Sequence, residues 1–137
     1  MTIRNVRTTF VLAAASLVSF SLVGCSSDTR SSITSDVQNA TNSAAESVAR
    51  NIATQQGEEQ FKNAQQELAG PLTCEAAVKA DAANIEISCT GSTKAGGAAT
   101  LVGTTSELPG ASVVSLSGSF VGAVDGQEVF NTQRLGG

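Results

Sequence analysis

The sequence contains no histidine, no tryptophan and no tyrosine, and only 15 % of its 137 residues are charged. A catalytic triad that depends on histidine cannot form without that residue. A structural zinc site needs four ligands, which the few cysteines do not supply without histidine. The carboxylates show no pairing pattern typical of glycoside or metal chemistry. We therefore expect no catalytic residues, no metal site, no cofactor and no enzymatic activity.

Aromatic residues are almost as scarce, with five phenylalanines in the chain, two of which (Phe10 and Phe20) lie in the leader. A core must therefore be built from valine, isoleucine, leucine and the remaining phenylalanines. The length allows one domain at most once both ends are discounted. We expect a small, lightly packed domain of limited stability.

Basic residues are few, with 8 Lys and Arg against 12 Asp and Glu and a net charge of −4. Residues 1–24 include Arg4 and Arg7 but no acidic residue, so their removal leaves 6 basic and 12 acidic side chains and a net charge of −6. An acidic surface without a basic stripe argues against nucleic acid as a partner. It also offers no electrostatic attraction to anionic lipid.

The chain opens with a charged segment, MTIRNVR, and continues with an apolar run at 10–23 that is interrupted only by serine. This order is typical of an export signal. As a helix, the 14 residues of the run rise about 21 Å, which is less than the roughly 30 Å of a hydrocarbon core. The run therefore predicts a signal peptide rather than a permanent membrane helix.

The apolar run ends in LVGC, which resembles the lipobox of bacterial lipoproteins. The resemblance implies cleavage between Gly24 and Cys25 and a diacylglyceryl group on the cysteine sulfur. Two acyl chains anchor a protein stably, whereas one chain binds only marginally. We expect 1–24 to be a lipoprotein signal peptide and the mature protein to be held on the extracytoplasmic side of the cell membrane through Cys25. An ordinary secretory signal and an uncleaved membrane anchor are the alternatives.

Residues 25–35 contain the cysteine and a Ser/Thr-rich stretch, which predicts a flexible tether. A narrow apolar stripe at helical spacing runs from there through 36–57. The stripe consists of Ile33, Val37, Ala40, Ala44, Val48 and Ile52. A membrane-surface helix would need bulkier apolar residues and basic flanks, and a partner-binding helix or a stalk stays open. We favour a weakly amphipathic, mostly solvated helix.

Gly57 is expected to interrupt this helix, because glycine is a poor helix former. A second stripe at helical spacing, Phe61, Ala64 and Leu68, ends at the AGP of 69–71, where glycine and proline stop a helix. We expect this second helix to pack on the strands that follow. The sequence therefore predicts a boundary near Gly57, with 58–137 as the folded domain and 26–56 as dispensable.

From Leu72 onward the period changes to that of strands, beginning with NIEISCTG. Further candidates are AATLVGTTSEL at 98–108, SVVSLSGSFVGAV at 112–124 and QEVFNTQRL at 127–135. Gly118 and Gly122 suggest a bulge, and Asp125-Gly126 predicts a two-residue hairpin turn. We expect an α+β domain with a small antiparallel sheet of three to five strands and one packed helix.

Cys74 and Cys89 remain if Cys25 carries lipid. An even pair of cysteines in an exported chain predicts a disulfide. It would close a loop of about 15 residues and stabilise the fold by roughly 3 kcal/mol. A redox-active or metal-binding pair is the alternative, although redox motifs place their cysteines only two residues apart.

Two further motifs have ordinary explanations. GSTKAGG at 91–97 lacks the Gly-Lys-Ser/Thr ending of a phosphate-binding loop, so we interpret Lys94 as a solubilising loop residue. Asp125 and Glu128 flank the predicted hairpin turn and can at most bind a cation weakly. The turn itself demands Asp-Gly.

The lipobox, the tether, LTCEAAVKADAANIEISCTG and FVGAVDGQEVF together resemble small actinobacterial cell-envelope lipoproteins. The middle stretch resembles a cysteine-paired domain family of unknown function, which implies a short helical turn between Cys74 and Cys89. A mycobacterial surface lipoprotein antigen family is a second resemblance, and neither family supplies catalytic residues. We expect a binding or interaction module of the envelope with a protein or glycan partner. The alternative is a structural or accessory lipoprotein without a specific ligand.

Overall fold

The computed structural model describes residues 27–79, 83–110 and 112–137, with side chains from residue 36 onward. It contains one helix, α1 (Ser27–Asn63), followed by five strands. The strands are β1 (Thr73–Val78), β2 (Ile85–Ser92), β3 (Ala98–Thr105), β4 (Leu116–Val124) and β5 (Gln127–Leu135). The predicted signal peptide, Gly24 and Cys25 lie outside the described residues.

The five strands form one antiparallel sheet in the order β1-β2-β3-β4-β5, so each strand pairs with its neighbours in the sequence. α1 lies across one face of this sheet and contacts β1, β2, β4 and β5. The predicted α+β fold, with an antiparallel sheet and one packed helix, is confirmed.

The core lies between α1 and the facing side of the sheet. In β2, Ile85, Ile87 and Cys89 are buried, whereas Glu86 and Ser88 are exposed, which is the alternation that the sequence predicts. The largest fully buried side chains are those of Phe61, Phe120, Ile85, Ile87, Leu101, Leu135 and Cys89. One helix and one sheet face therefore supply a single core.

β1 is the strand that the sequence did not predict. The family resemblance implies a helical turn between Cys74 and Cys89, but the described residues of that stretch belong to β1, β2 and the ends of their connection. A short helical turn can lie only within that connection, of which 80–82 lie outside the described residues, so this implication of the resemblance stays a prediction. Pairing of the two strands sets the cysteines directly opposite each other, so no helical turn is needed to bring them together.

The hairpin between β4 and β5 follows local turn chemistry. Asp125 and Gly126 both have positive φ, 52° and 80°, as a type I′ turn requires. The two register shifts in the pairing of these strands fall at Gly118 and beside Gly122. The predicted turn and the predicted irregularity are both confirmed.

α1 continues through Gly57 without a break, so the predicted interruption is wrong. An ideal Cβ at Gly57 would lie 2.6 Å from Leu101 Cδ2 and 3.1 Å from Leu72 Cδ1. The glycine therefore lets the helix lie close to β3. This packing offsets the low helix propensity of glycine, which costs about 1 kcal/mol relative to alanine.

The packed core extends further toward the N-terminus than the predicted boundary near Gly57. Ala45, Ala49 and Ile52 belong to the same core cluster as Phe61. The structure therefore places the N-terminal edge of the core at Ala45. The backbone of α1 also covers 27–35, most of the stretch whose composition predicts a tether.

The buried face of α1 is displaced from the predicted apolar stripe. Ala45 and Ala49 are 6 % and 0 % exposed. They follow the stripe residues Ala44 and Val48 by one position, which is about 100° around the helix. Alanine side chains allow the helix to approach the sheet closely. Of the stripe, Ile52 belongs to the core, whereas the residues from Val37 to Val48 lie at the edge of the packed face, with Val37 60 % exposed.

The end of α1 is set by its last turn rather than by the AGP at 69–71. Gln65 adopts a left-handed conformation with φ 61°. The Gln66 amide donates a hydrogen bond to the Phe61 carbonyl at 2.8 Å, which is a common way to close a helix. Leu68 therefore lies beyond the helix, where it forms an isolated bridge with Thr93.

Candidate functional site

An apolar groove lies beside the N-terminal half of α1. One wall is the predicted stripe within 37–48, and the other is the connection between β3 and β4 at 108–110. The groove has a volume of about 630 Å³ and opens to solvent. Its lining consists of Val37, Ala40, Thr41, Ala44, Ala45, Val48, Leu108, Pro109 and Gly110.

Both walls of the groove are held by the core. Ala45 is buried, and the partly buried Val48 packs against the core cluster. On the other side, Leu108 packs against the same cluster. The Ser106 amide also donates a hydrogen bond to the Ser117 carbonyl at 2.8 Å, which ties the start of this connection to β4. The groove is therefore a feature of the folded domain and not of an isolated helix.

The groove presents almost no polar chemistry. Thr41 is its one polar side chain, and its Oγ1 donates a hydrogen bond to the Val37 carbonyl at 2.9 Å. A hydroxyl bonded to its own helix in this way is not free to donate to a ligand. None of the lining residues is charged. The groove can shield an apolar ligand from water, but it offers no side chain for acid, base or nucleophilic chemistry.

The structure joins Cys74 and Cys89 by a disulfide across β1 and β2, with their Cα atoms 3.9 Å apart. Cys89 is fully buried and Cys74 is 7 % exposed. The bond fastens the edge strand β1 to the rest of the sheet. Its burial gives another thiol little access to the sulfurs, so the arrangement favours a structural role.

Lys94 is ion-paired rather than free. Its Nζ lies 2.8 Å from Glu67 Oε2, and its amide donates a hydrogen bond to the Glu67 carbonyl. The hydrogen bond and the positive charge of Lys94 hold the pKa of Glu67 below its usual value of 4.5. Both side chains are exposed, so the pair contributes little to stability. It connects the turn between β2 and β3 to the segment that follows α1.

Asp125 and Glu128, the two acidic residues of the last hairpin, are both exposed. Asp125 Oδ1 accepts a hydrogen bond from the Ala98 amide at 2.8 Å, so this carboxylate takes part in holding the turn. Glu128 is exposed on β5. Within the described ranges, no group of three or more side chains suited to a metal is found.

Comparisons of the chain with protein-family models, with curated proteins and with solved structures find no match. The resemblance to envelope lipoproteins therefore stays a prediction from the motifs. In the part of the chain that the structure describes, no helix is both long and apolar enough to span a membrane.

The sequence indicates one wall of the groove but not the other. The stripe within 37–48 is visible as a helical pattern, whereas Pro109 and Gly110 indicate only a turn. Nothing local shows that this turn will face a helix some sixty residues earlier in the chain. Leu108 is the single signal, as a bulky apolar residue at the start of a polar connection.

Proposed function

We propose that the protein is a bacterial lipoprotein held on the extracytoplasmic side of the cell membrane by a diacylglyceryl group on Cys25. Its folded part then serves as a binding module of the cell envelope. The location rests on the basic first segment, the apolar run at 10–23 and the LVGC that ends it. A signal of this length and order is typical of exported proteins.

The observation that carries the binding role is the groove between α1 and 108–110. Ligand sites are concave and mostly apolar, and the groove has both properties. An accessory lipoprotein without a ligand has no use for such a surface. The buried disulfide supports the same setting, because disulfides persist in oxidising compartments.

Mass spectrometry of the protein isolated from its native membrane tests the anchor. We expect the N-terminal peptide to begin at Cys25 and to carry the mass of two acyl chains on a glyceryl group. Cys25→Ala should give a chain without lipid, whereas Ser26→Ala, at the next position, should be lipidated like the native chain. A native N-terminus at another residue, or an unmodified Cys25, would contradict the proposal.

A further inference from the structure

We propose that the groove between α1 and 108–110 takes one alkyl chain of a neutral membrane lipid. This inference rests on the proposed function, because the anchor on Cys25 is what brings the groove to a membrane surface. It names the ligand class of the binding module, which the sequence leaves open between a protein and a glycan.

The lining chemistry selects an alkyl chain over a glycan or an extended peptide. A sugar or a peptide backbone carries hydrogen-bonding groups that must be satisfied when they leave water. Among the lining residues that the structure describes, the only side-chain donor is Thr41 Oγ1, which is already bonded to the Val37 carbonyl. A hydrocarbon chain has no such groups, so it loses no hydrogen bonds to water when it enters the groove.

The size of the groove also favours a small ligand over a second protein chain. A volume of about 630 Å³ lies within the roughly 300–1,000 Å³ of small-molecule sites. A stable protein interface buries about 800 Å² on each partner, contributed by some 20–30 residues. Nine residues line the groove, which is too few for such an interface.

The charges beside the groove select a neutral lipid. Asp36 precedes Val37 at one wall, and Glu107 precedes Leu108 at the other. Asp36 and Glu107, the charged residues next in sequence to the two described walls, are acidic and exposed, so an anionic headgroup held near them would be repelled. A lipid with an uncharged headgroup meets no such cost.

The chain's own anchor is a poor occupant because of its distance. Ser27, two residues after Cys25, lies ten residues before Val37 in α1, which is about 15 Å along the helix. An acyl chain attached before Ser27 would therefore use part of its length to reach the groove. A diffusible lipid enters directly with its full chain.

A photoactivatable probe tests the proposal on the protein isolated from its native membrane and placed in neutral phosphatidylcholine vesicles. The probe is a monoacylglycerol with a diazirine near the end of its chain, and the cross-linked peptides are located by mass spectrometry. We expect labels at 37–48 and 108–110. Ala44→Trp fills the groove from an exposed position and should reduce this labelling at least tenfold.

Val102→Trp is the matched control, because Val102 is 51 % exposed and lies on β3 outside the groove. It should leave the labelling unchanged. Equal urea midpoints of the two variants establish that neither is unfolded. Labels spread evenly over the chain, or equal labelling of both variants, would overturn the inference. Cross-links between 37–48 of two chains, in place of probe labels, would also overturn it and assign the groove to a second copy.

The same samples separate this inference from the proposed function. Labelling confined to the groove in a protein that carries no lipid on Cys25 would support the groove as an alkyl site and reject the anchor. A lipidated Cys25 with no labelling of the groove would support the anchor and reject the alkyl site.

Discussion

Replacing Ala49 by leucine tests how closely α1 lies on the sheet. Ala49 is 0 % exposed and belongs to the core cluster. Leucine forms helices nearly as well as alanine, so the change adds volume without altering helix propensity much. The effect on stability therefore reports the space between helix and sheet.

The expected loss is roughly 2–3 kcal/mol, the upper part of the range for inserting extra carbon atoms into a filled core. The upper part applies because the helix has little room to move away. Two turns further along α1, an ideal Cβ at Gly57 would already lie 2.6 Å from Leu101 Cδ2. Leu101 is itself fully buried, so its side chain has no free space to enter.

Equilibrium unfolding in urea with the disulfide intact measures the loss. With a slope on the order of 1.5 kcal/mol per molar urea, the midpoint of Ala49→Leu should fall by about 1.3–2 M at unchanged slope. Ala44→Leu is the control, because it makes the same change at an exposed position and should stay within about 0.5 kcal/mol of the parent chain. If both variants have the urea midpoint of the parent chain, α1 does not pack on the sheet at Ala49. The core would then begin further toward the C-terminus, as the sequence predicts.

Three further changes test other parts of the structure. Phe61→Ala should cost about 3–5 kcal/mol in urea unfolding, because Phe61 is fully buried and packs edge-on against another ring. Replacing both Cys74 and Cys89 by alanine should cost about 2–4 kcal/mol in the same assay. Lys94→Met should return the pKa of Glu67 toward its usual 4.5 in an NMR titration, since Lys94 is the main cause of its lowering.

The lowered pKa of Glu67 makes the contribution of the Lys94–Glu67 pair to stability depend on pH. Because the pKa of Glu67 is lowered in the folded state, the pair favours folding above the ordinary pKa of a carboxyl and this contribution is lost as the pH falls through the lowered value. Phe130 supplies the ring that Phe61 packs against; Phe130→Leu removes that ring but keeps an apolar side chain, so it should cost less than Phe61→Ala. Each prediction has its own contradicting result. These results are an unchanged stability of Phe61→Ala, free thiols in the native protein, and an unchanged pKa of Glu67 in Lys94→Met.

Local patterns predicted the parts of the fold that local chemistry determines. The alternation of β2 follows from a half-buried strand, and the turn at Asp125 and Gly126 follows from the positive φ that a tight hairpin requires. Both depend on residues close together in the chain. The pairing of Cys74 with Cys89 followed from counting cysteines rather than from any view of β1.

The course of the helix was harder to predict because it depends on what α1 meets. Hydrophobicity predicts that Val48 is more buried than Ala49, yet Ala49, the smaller residue, is the more deeply buried. Gly57 looks like a helix breaker until Leu101 is placed opposite it. A sequence pattern shows which residues prefer to leave water, but the distance between two packed elements decides which of them fit.

The strand order has a consequence for how the protein folds. Every strand pairs with its neighbour in the sequence. The sheet can therefore form as a series of hairpins, each of which costs little loop-closure entropy. α1 precedes all five strands in the chain, yet it contacts both β1 and β5, the two edges of the sheet. The packed face of α1 can therefore be covered completely only once β5 has joined the sheet, although α1 precedes all five strands in the chain.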